Sequence, residues 1–155
     1  MGLDTNFYYV TEKKVVNPKT KETLFTTTRN GECSYFRKNY CLMEWFSKHW
    51  NIDIENCEYY LVDKEDIDAL LKDCQLAIDL VDDSLKEKEI DYFDDLEELS
   101  EDVQSQLCKL FPNNGWRYNH TRFDGRDYNE VKEIVRVLGN IYWENTDKLI
   151  LTNWW

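Results

Sequence analysis

The run Cys57-Glu58-Tyr59-Tyr60-Leu61-Val62 passes directly into Asp63-Lys64-Glu65-Asp66-Ile67-Asp68-Ala69-Leu70-Leu71, and the hydrophobic pattern changes between them. The first part is short, aromatic and β-branched, as a strand is. In the second part Ile67, Leu70, Leu71, Cys74, Ala77 or Ile78, and Val81 recur at three- and four-residue steps, as on one face of a helix. Asp63 stands where an N-cap belongs, with Asp66 three residues on and acids in the first turn, where the helix dipole favours them. A strand feeding a capped amphipathic helix implies a chain that mixes both element types.

Toward the N-terminus, Leu3–Val10 reads as a strand rich in Phe and Tyr. Lys14–Val16 and Thr23–Thr28 are β-branched runs joined by Asn17-Pro18-Lys19-Thr20-Lys21, a hairpin turn by composition. Asn30-Gly31 is expected to break the strand pattern. Residues 35–50 then read as a helix, with Ser34 as its N-cap and Phe36, Tyr40, Met43, Phe46 or Ser47, and Trp50 on its apolar face. Arg37, Lys38 and Lys48 give that helix an expected basic surface.

Toward the C-terminus, residues 82–103 form an acidic tract. Its acids are Asp82, Asp83, Glu87, Glu89, Asp91, Asp94, Asp95, Glu97, Glu98, Glu101 and Asp102. Against Lys86 and Lys88, these eleven acids leave a charge of −9, most of the −12 of the whole chain. Phe93, Leu96, Leu99 and Val103 recur at helical spacing, so the tract is expected to be an anchored helical segment, and Leu107, Leu110 and Phe111 continue the stripe to Pro112. Asp127–Leu138 reads as a last helix ended by Gly139, and Lys148–Trp155 as a closing strand. With 155 residues there is material for one domain, expected to be α+β: helices packed on a small mixed or antiparallel sheet.

Charge and cysteines narrow the function. A pI near 4.6 repels nucleic acid and anionic membranes, and attracts basic surfaces. Direct nucleic-acid binding needs Lys and Arg on phosphates, so it is disfavoured here. The same field can instead occupy a protein's nucleic-acid channel. No stretch has the ~20 apolar residues of a membrane span, and the N-terminus lacks a signal-peptide pattern. Cys33, Cys41, Cys57, Cys74 and Cys108 are odd in number and lack C-x-x-C spacing, so reduced thiols filling a core are expected. No zinc, cofactor or catalytic motif emerges around His49 or His120. The segment Trp116-Arg117-Tyr118-Asn119-His120-Thr121-Arg122-Phe123 allows two readings. It is a ligand-facing patch of a small binding or enzymatic domain, or an edge strand whose aromatics pack inward and whose arginines pair with acids. The acidic tract likewise is a solvated face or a surface for a basic partner. A structural, oligomer-forming role is a third reading of the chain.

Several segments resemble a group of small bacteriophage and prophage proteins. Met1-Gly2-Leu3-Asp4-Thr5-Asn6-Phe7-Tyr8 is similar to that group's opening Met-Gly-Leu-Asp-Met-Tyr-Leu, with Thr5 and Asn6 replacing Met and Tyr. Tyr35-Phe36-Arg37-Lys38-Asn39 resembles its Tyr-Trp-Arg-Lys-Ala-Asn run, and Glu44-Trp45-Phe46 its Trp-Phe. Asn56–Leu71 resembles its strand and capped helix, Phe111–Tyr128 more loosely its Gly-aromatic segment, and Trp154-Trp155 its aromatic end. The acidic insertion after Val81 is not shared. The resemblance implies a phage accessory protein acting in the bacterial cytoplasm. Small acidic phage proteins of this kind include inhibitors of host nucleic-acid machinery, anti-CRISPR proteins among them. That implication concerns a class and transfers no catalytic residue.

Overall fold

The computed structural model describes residues 2–16, 19–89, 99–112, 122–143 and 148–155. The element order is β1 (Asp4–Val16), β2 (Thr23–Arg37), α1 (Tyr40–Trp50), β3 (Tyr59–Asp63), α2 (Lys64–Glu87), α3 (Glu101–Leu110), α4 (Gly125–Leu138) and β4 (Lys148–Trp154). The strands form one antiparallel sheet in the order β2-β1-β4-β3. This is the expected α+β class, with the sheet antiparallel throughout.

The hairpin forms where the β-branched runs placed it. β1 and β2 pair from Asp4↔Arg37 to Val16↔Thr23. Asn17 and Pro18, at the predicted turn, lie outside the described residues. Asn30-Gly31 does not end the strand. The pairing instead steps from Phe7↔Ser34 to Tyr8↔Glu32, and from Tyr9↔Gly31 to Val10↔Arg29. Cys33 and Asn30 are the extra residues at these two irregularities, which bend a strand without ending it.

The largest difference from expectation is the start of α1. Ser34 is no cap; it pairs with Phe7 inside β2, and Tyr35 and Arg37 pair with Asn6 and Asp4. The helix begins only at Tyr40, after Lys38 takes a left-handed φ of 56°. Asn39 is the N-cap, its side-chain oxygen accepting from the Leu42 N–H at 3.1 Å. Arg37 and Lys38 therefore do not belong to a basic helix surface, and of the three expected bases only Lys48 is on α1. Six consecutive residues, Cys41–Phe46, are buried, so α1 is covered nearly all round.

α2 starts as expected, with the Asp66 carboxylate accepting from the Asp63 N–H at 3.0 Å in a capping box. It runs six residues beyond Val81 because Leu85, one turn on, continues the buried stripe. α3 is capped by Ser100, which accepts from Val103 N–H. α4 begins at Gly125, two residues before the expected Asp127, because Asp124 is its cap and Asp127 closes the box. Gly139 is the C-cap of α4, a position that needs glycine, because a Cβ there would lie 2.4 Å from the Val135 carbonyl oxygen.

The core lies between one face of the sheet and the helices. Phe7, Phe36, Val62, Leu149 and Leu151 from the strands join Trp45, Phe46, Ile67, Leu70, Leu107, Ile134 and Leu138 from the helices. Phe7 meets Phe36 edge to face, with ring centroids 6.1 Å apart. α4 packs against α1 and α2, and α3 against α2. Among the described residues no helix is long and apolar enough to cross a membrane.

Candidate functional site

The acids of the tract separate into groups with different local physics. Asp82 is half-buried and accepts the phenolic hydrogen of Tyr128, joining α2 to α4. Glu101 and Asp102 lie in the first turn of α3, where the helix dipole favours negative charge. Glu101 also pairs with Arg122 at 2.7 Å. These three residues have structural roles that account for them. Asp91, Asp94, Asp95, Glu97 and Glu98 lie outside the described residues.

Asp83, Glu87 and Glu89 are different. All three are exposed at the C-terminal end of α2. There the helix dipole is negative, and Glu87, the acid of the last turn, costs roughly 0.3–1 kcal/mol. Asp79, Asp83 and Glu87 also follow each other at four-residue steps, an arrangement of like charges that costs about 0.2–0.5 kcal/mol per pair. Glu89 adds a left-handed φ of 55°, which an ordinary side chain adopts at a cost of roughly 1–2 kcal/mol. Lys86 and Lys88 offset part of the charge. Among the described residues none of the three acids is held in a salt bridge. Among the described residues no contact accounts for the acids gathered at this helix end.

The segment 116–123 is described only at Arg122 and Phe123. Arg122 is committed to Glu101. Phe123 is buried against Phe111, and the Gln104 side chain bonds both its N–H and its carbonyl, at 3.0 and 2.8 Å. An open cleft of about 1270 Å³ lies elsewhere, between the N-terminal Gly2-Leu3, the end of α1, the end of α3 and Trp155, and neither residue lines it. Its Lys48 ammonium is spent on the last carbonyls of α3, donating to Lys109 at 3.0 Å and Leu110 at 2.9 Å.

A buried polar seam at the α1–α4 contact was not visible in the sequence. The Glu130 carboxylate accepts from the Tyr40 and Cys41 N–H groups at 2.9 and 3.0 Å. Asn39 donates to the Glu130 carbonyl and the Glu133 carboxylate, both at 3.0 Å. α4 thus supplies acceptors for the free N–H groups that open α1. Cys41, Asp127 and Glu130 hold their donor atoms within 4.8 Å of one another, and are a group among the described residues that could hold a metal. Both carboxylates, however, already cap helices. Burial, reinforced by Glu130, Asp127 and Glu44, pushes the Cys41 thiol well above its usual range. The seam is therefore read as structural.

All five cysteines are free thiols, with Cys41 and Cys74 in the core, Cys33 and Cys108 half-buried and Cys57 exposed. No protein-family model, curated protein or solved structure matches the chain.

Proposed function

We propose that this protein acts by binding a basic surface of another protein, through Asp83, Glu87 and Glu89 and the acidic segment that follows them. In its specific form, the reading is of a phage-encoded inhibitor of a host nucleic-acid-binding defence complex. It would resemble anti-CRISPR proteins in occupying a Lys/Arg-lined groove, and it would work in the bacterial cytoplasm. The observation that carries the binding part is the placement of exposed acids at the end of α2, where like charges at four-residue steps oppose Asp83 and Glu87, the helix dipole opposes Glu87, and Glu89 takes a left-handed backbone. Charge held against local stability suits a surface selected for its partner. The provenance rests on the resemblance of the N-terminal and central segments to phage proteins, and on no residue of a site.

The test is capture from a bacterial lysate on the immobilised protein, beside a variant carrying Asp83→Lys, Glu87→Lys and Glu89→Lys. A specific partner should be retained at low salt, lost by the variant, and released by about 0.5 M salt or by an added polyanion, because exposed charge pairs are screened. A partner that binds the variant equally well at high salt would refute the acidic-surface reading.

A further inference from the structure

The sheet has a second face, turned away from the helices. The strand register places Tyr35, Asn6, Thr152 and Tyr59 in one row across all four strands. Tyr8, Ile150 and Leu61 form the next row, and Arg37, Asp4 and Trp154 the row on the other side. Tyr35 is 45%, Tyr59 61%, Leu61 47% and Trp154 67% exposed. Four of the seven large exposed apolar side chains among the described residues thus lie on this one face. Scattered exposed hydrophobics are ordinary, but a contiguous aromatic face marks an interaction surface.

Charge decides what kind of partner fits. The charged residues of these three rows are Asp4 and Glu32 against Arg37, a net of −1, where the whole chain carries −12. Some are engaged within the face: Asp4 accepts from the Tyr35 hydroxyl at 2.9 Å, and Glu32 from the Asn6 amide at 2.8 Å. A basic protein is drawn to the acidic helix end and finds little field here. A near-neutral aromatic surface is the complement of this face, and a second copy of the chain presents one. Scaling the fractional exposures by the ~150–250 Å² of a large aromatic gives on the order of 500 Å² per copy, or about 1,000 Å² for a pair. That is the lower bound of specific interfaces, so the association is weak and concentration-dependent.

We propose that this protein forms a symmetric dimer by packing the outer faces of two sheets against each other, with Tyr35, Tyr59, Leu61 and Trp154 at the centre. Face-to-face sheet packing is an established way to cover such rows. Each copy carries −12, so the two repel at long range, and added salt screens that repulsion. This dimer therefore tightens with salt, whereas docking through acids loosens.

The experiment is sedimentation velocity on the full chain over a range of about 1–500 μM, at low and high salt, a window chosen for a micromolar Kd. The wild type should move from monomer to twice the mass as concentration rises, at lower concentration in high salt. Two separate variants, Tyr59→Ser with Leu61→Ser, and Trp154→Ser, should each raise the dissociation constant at least tenfold. Leu76→Ser, on the outer side of α2, should leave it unchanged. Near-UV circular dichroism confirms that each variant is folded. A wild type that stays monomeric throughout, or a dimer that both folded sheet variants preserve, overturns the proposal.

Discussion

The hydroxyl of Tyr128 on α4 donates to the carboxylate of Asp82 on α2. It makes the first acid of the tract a structural residue, while Asp83 beside it faces solvent. Replacing Asp82 with Asn should cost about 1–2 kcal/mol, since it weakens a partly buried hydrogen bond to a charged acceptor. Asp83→Asn should be neutral or slightly stabilising, because it removes a like charge between Asp79 and Glu87. Urea denaturation of the two variants, one residue apart, checks the contrast.

The same contact fixes a pH dependence. Burial first, and then the hydrogen bond and charge of Asp82, push the Tyr128 phenol from 10.0 up to about 12. The folded state therefore keeps this proton after the unfolded chain has lost it. The stabilisation is complete below about pH 10 and drains away as pH rises through about 12. Tyr9, held up to about 12 by its hydrogen bond to Cys33 and by burial, adds to the same loss. Stability measured from pH 9 to 12 should fall, and the fall should be shallower in Tyr128→Phe. An equal slope in that variant would remove Tyr128 from the account.

Opening α1 depends on Asn39 and Glu130. Asn39→Ala removes the cap on Leu42 N–H, and caps of this kind are worth about 0.5–2 kcal/mol. It also strips a donor from the Glu130 carbonyl and from Glu133, so the upper end of that range is expected. Glu130→Ala leaves the Tyr40 and Cys41 N–H groups without their carboxylate and should cost a similar amount. A double-mutant cycle should show coupling, because both residues serve one helix end. Additive losses would mean that the two act apart.

How much of this was legible in the sequence depended on whether a signal was local. The Asp63 cap, the stripe from Ile67 to Val81 and the β1–β2 hairpin rest on neighbouring residues, and all three form. Tyr35-Phe36-Arg37 failed as a helix start because its backbone pairs with β1, thirty residues earlier in the chain. A partner at that distance leaves no trace in local periodicity. Asn39 is as good a cap by type as Ser34, and only the end of β2 decides between them. The charge of the acidic site was legible, but its division was not: Asp82 looked like Asp83 until Tyr128 was placed beside it. The seam around Glu130 and the aromatic outer sheet face were invisible for the same reason, since each joins residues far apart in the chain.

The five free thiols should react in an order set by burial. Cys57 is exposed and lies at a left-handed φ of 63° just before β3. Cys33 and Cys108 are half-buried, and burial is the main cause raising both thiols. Cys41 and Cys74 are 0% exposed. Burial first, and nearby carboxylates after it, drive both well above the usual thiol range. The thiolate is the reactive form, so a raised thiol and a closed surface act in the same direction. Limited alkylation of the native protein, mapped by mass spectrometry, should therefore modify Cys57 first, then Cys33 and Cys108. Cys41 and Cys74 should react only at the rate of unfolding, and together, because they belong to one core. Early labelling of Cys41 with Cys74 still protected would show that the α1–α4 seam opens independently of that core. In that case Glu130 would not hold α1 as firmly as its two hydrogen bonds to Tyr40 and Cys41 indicate.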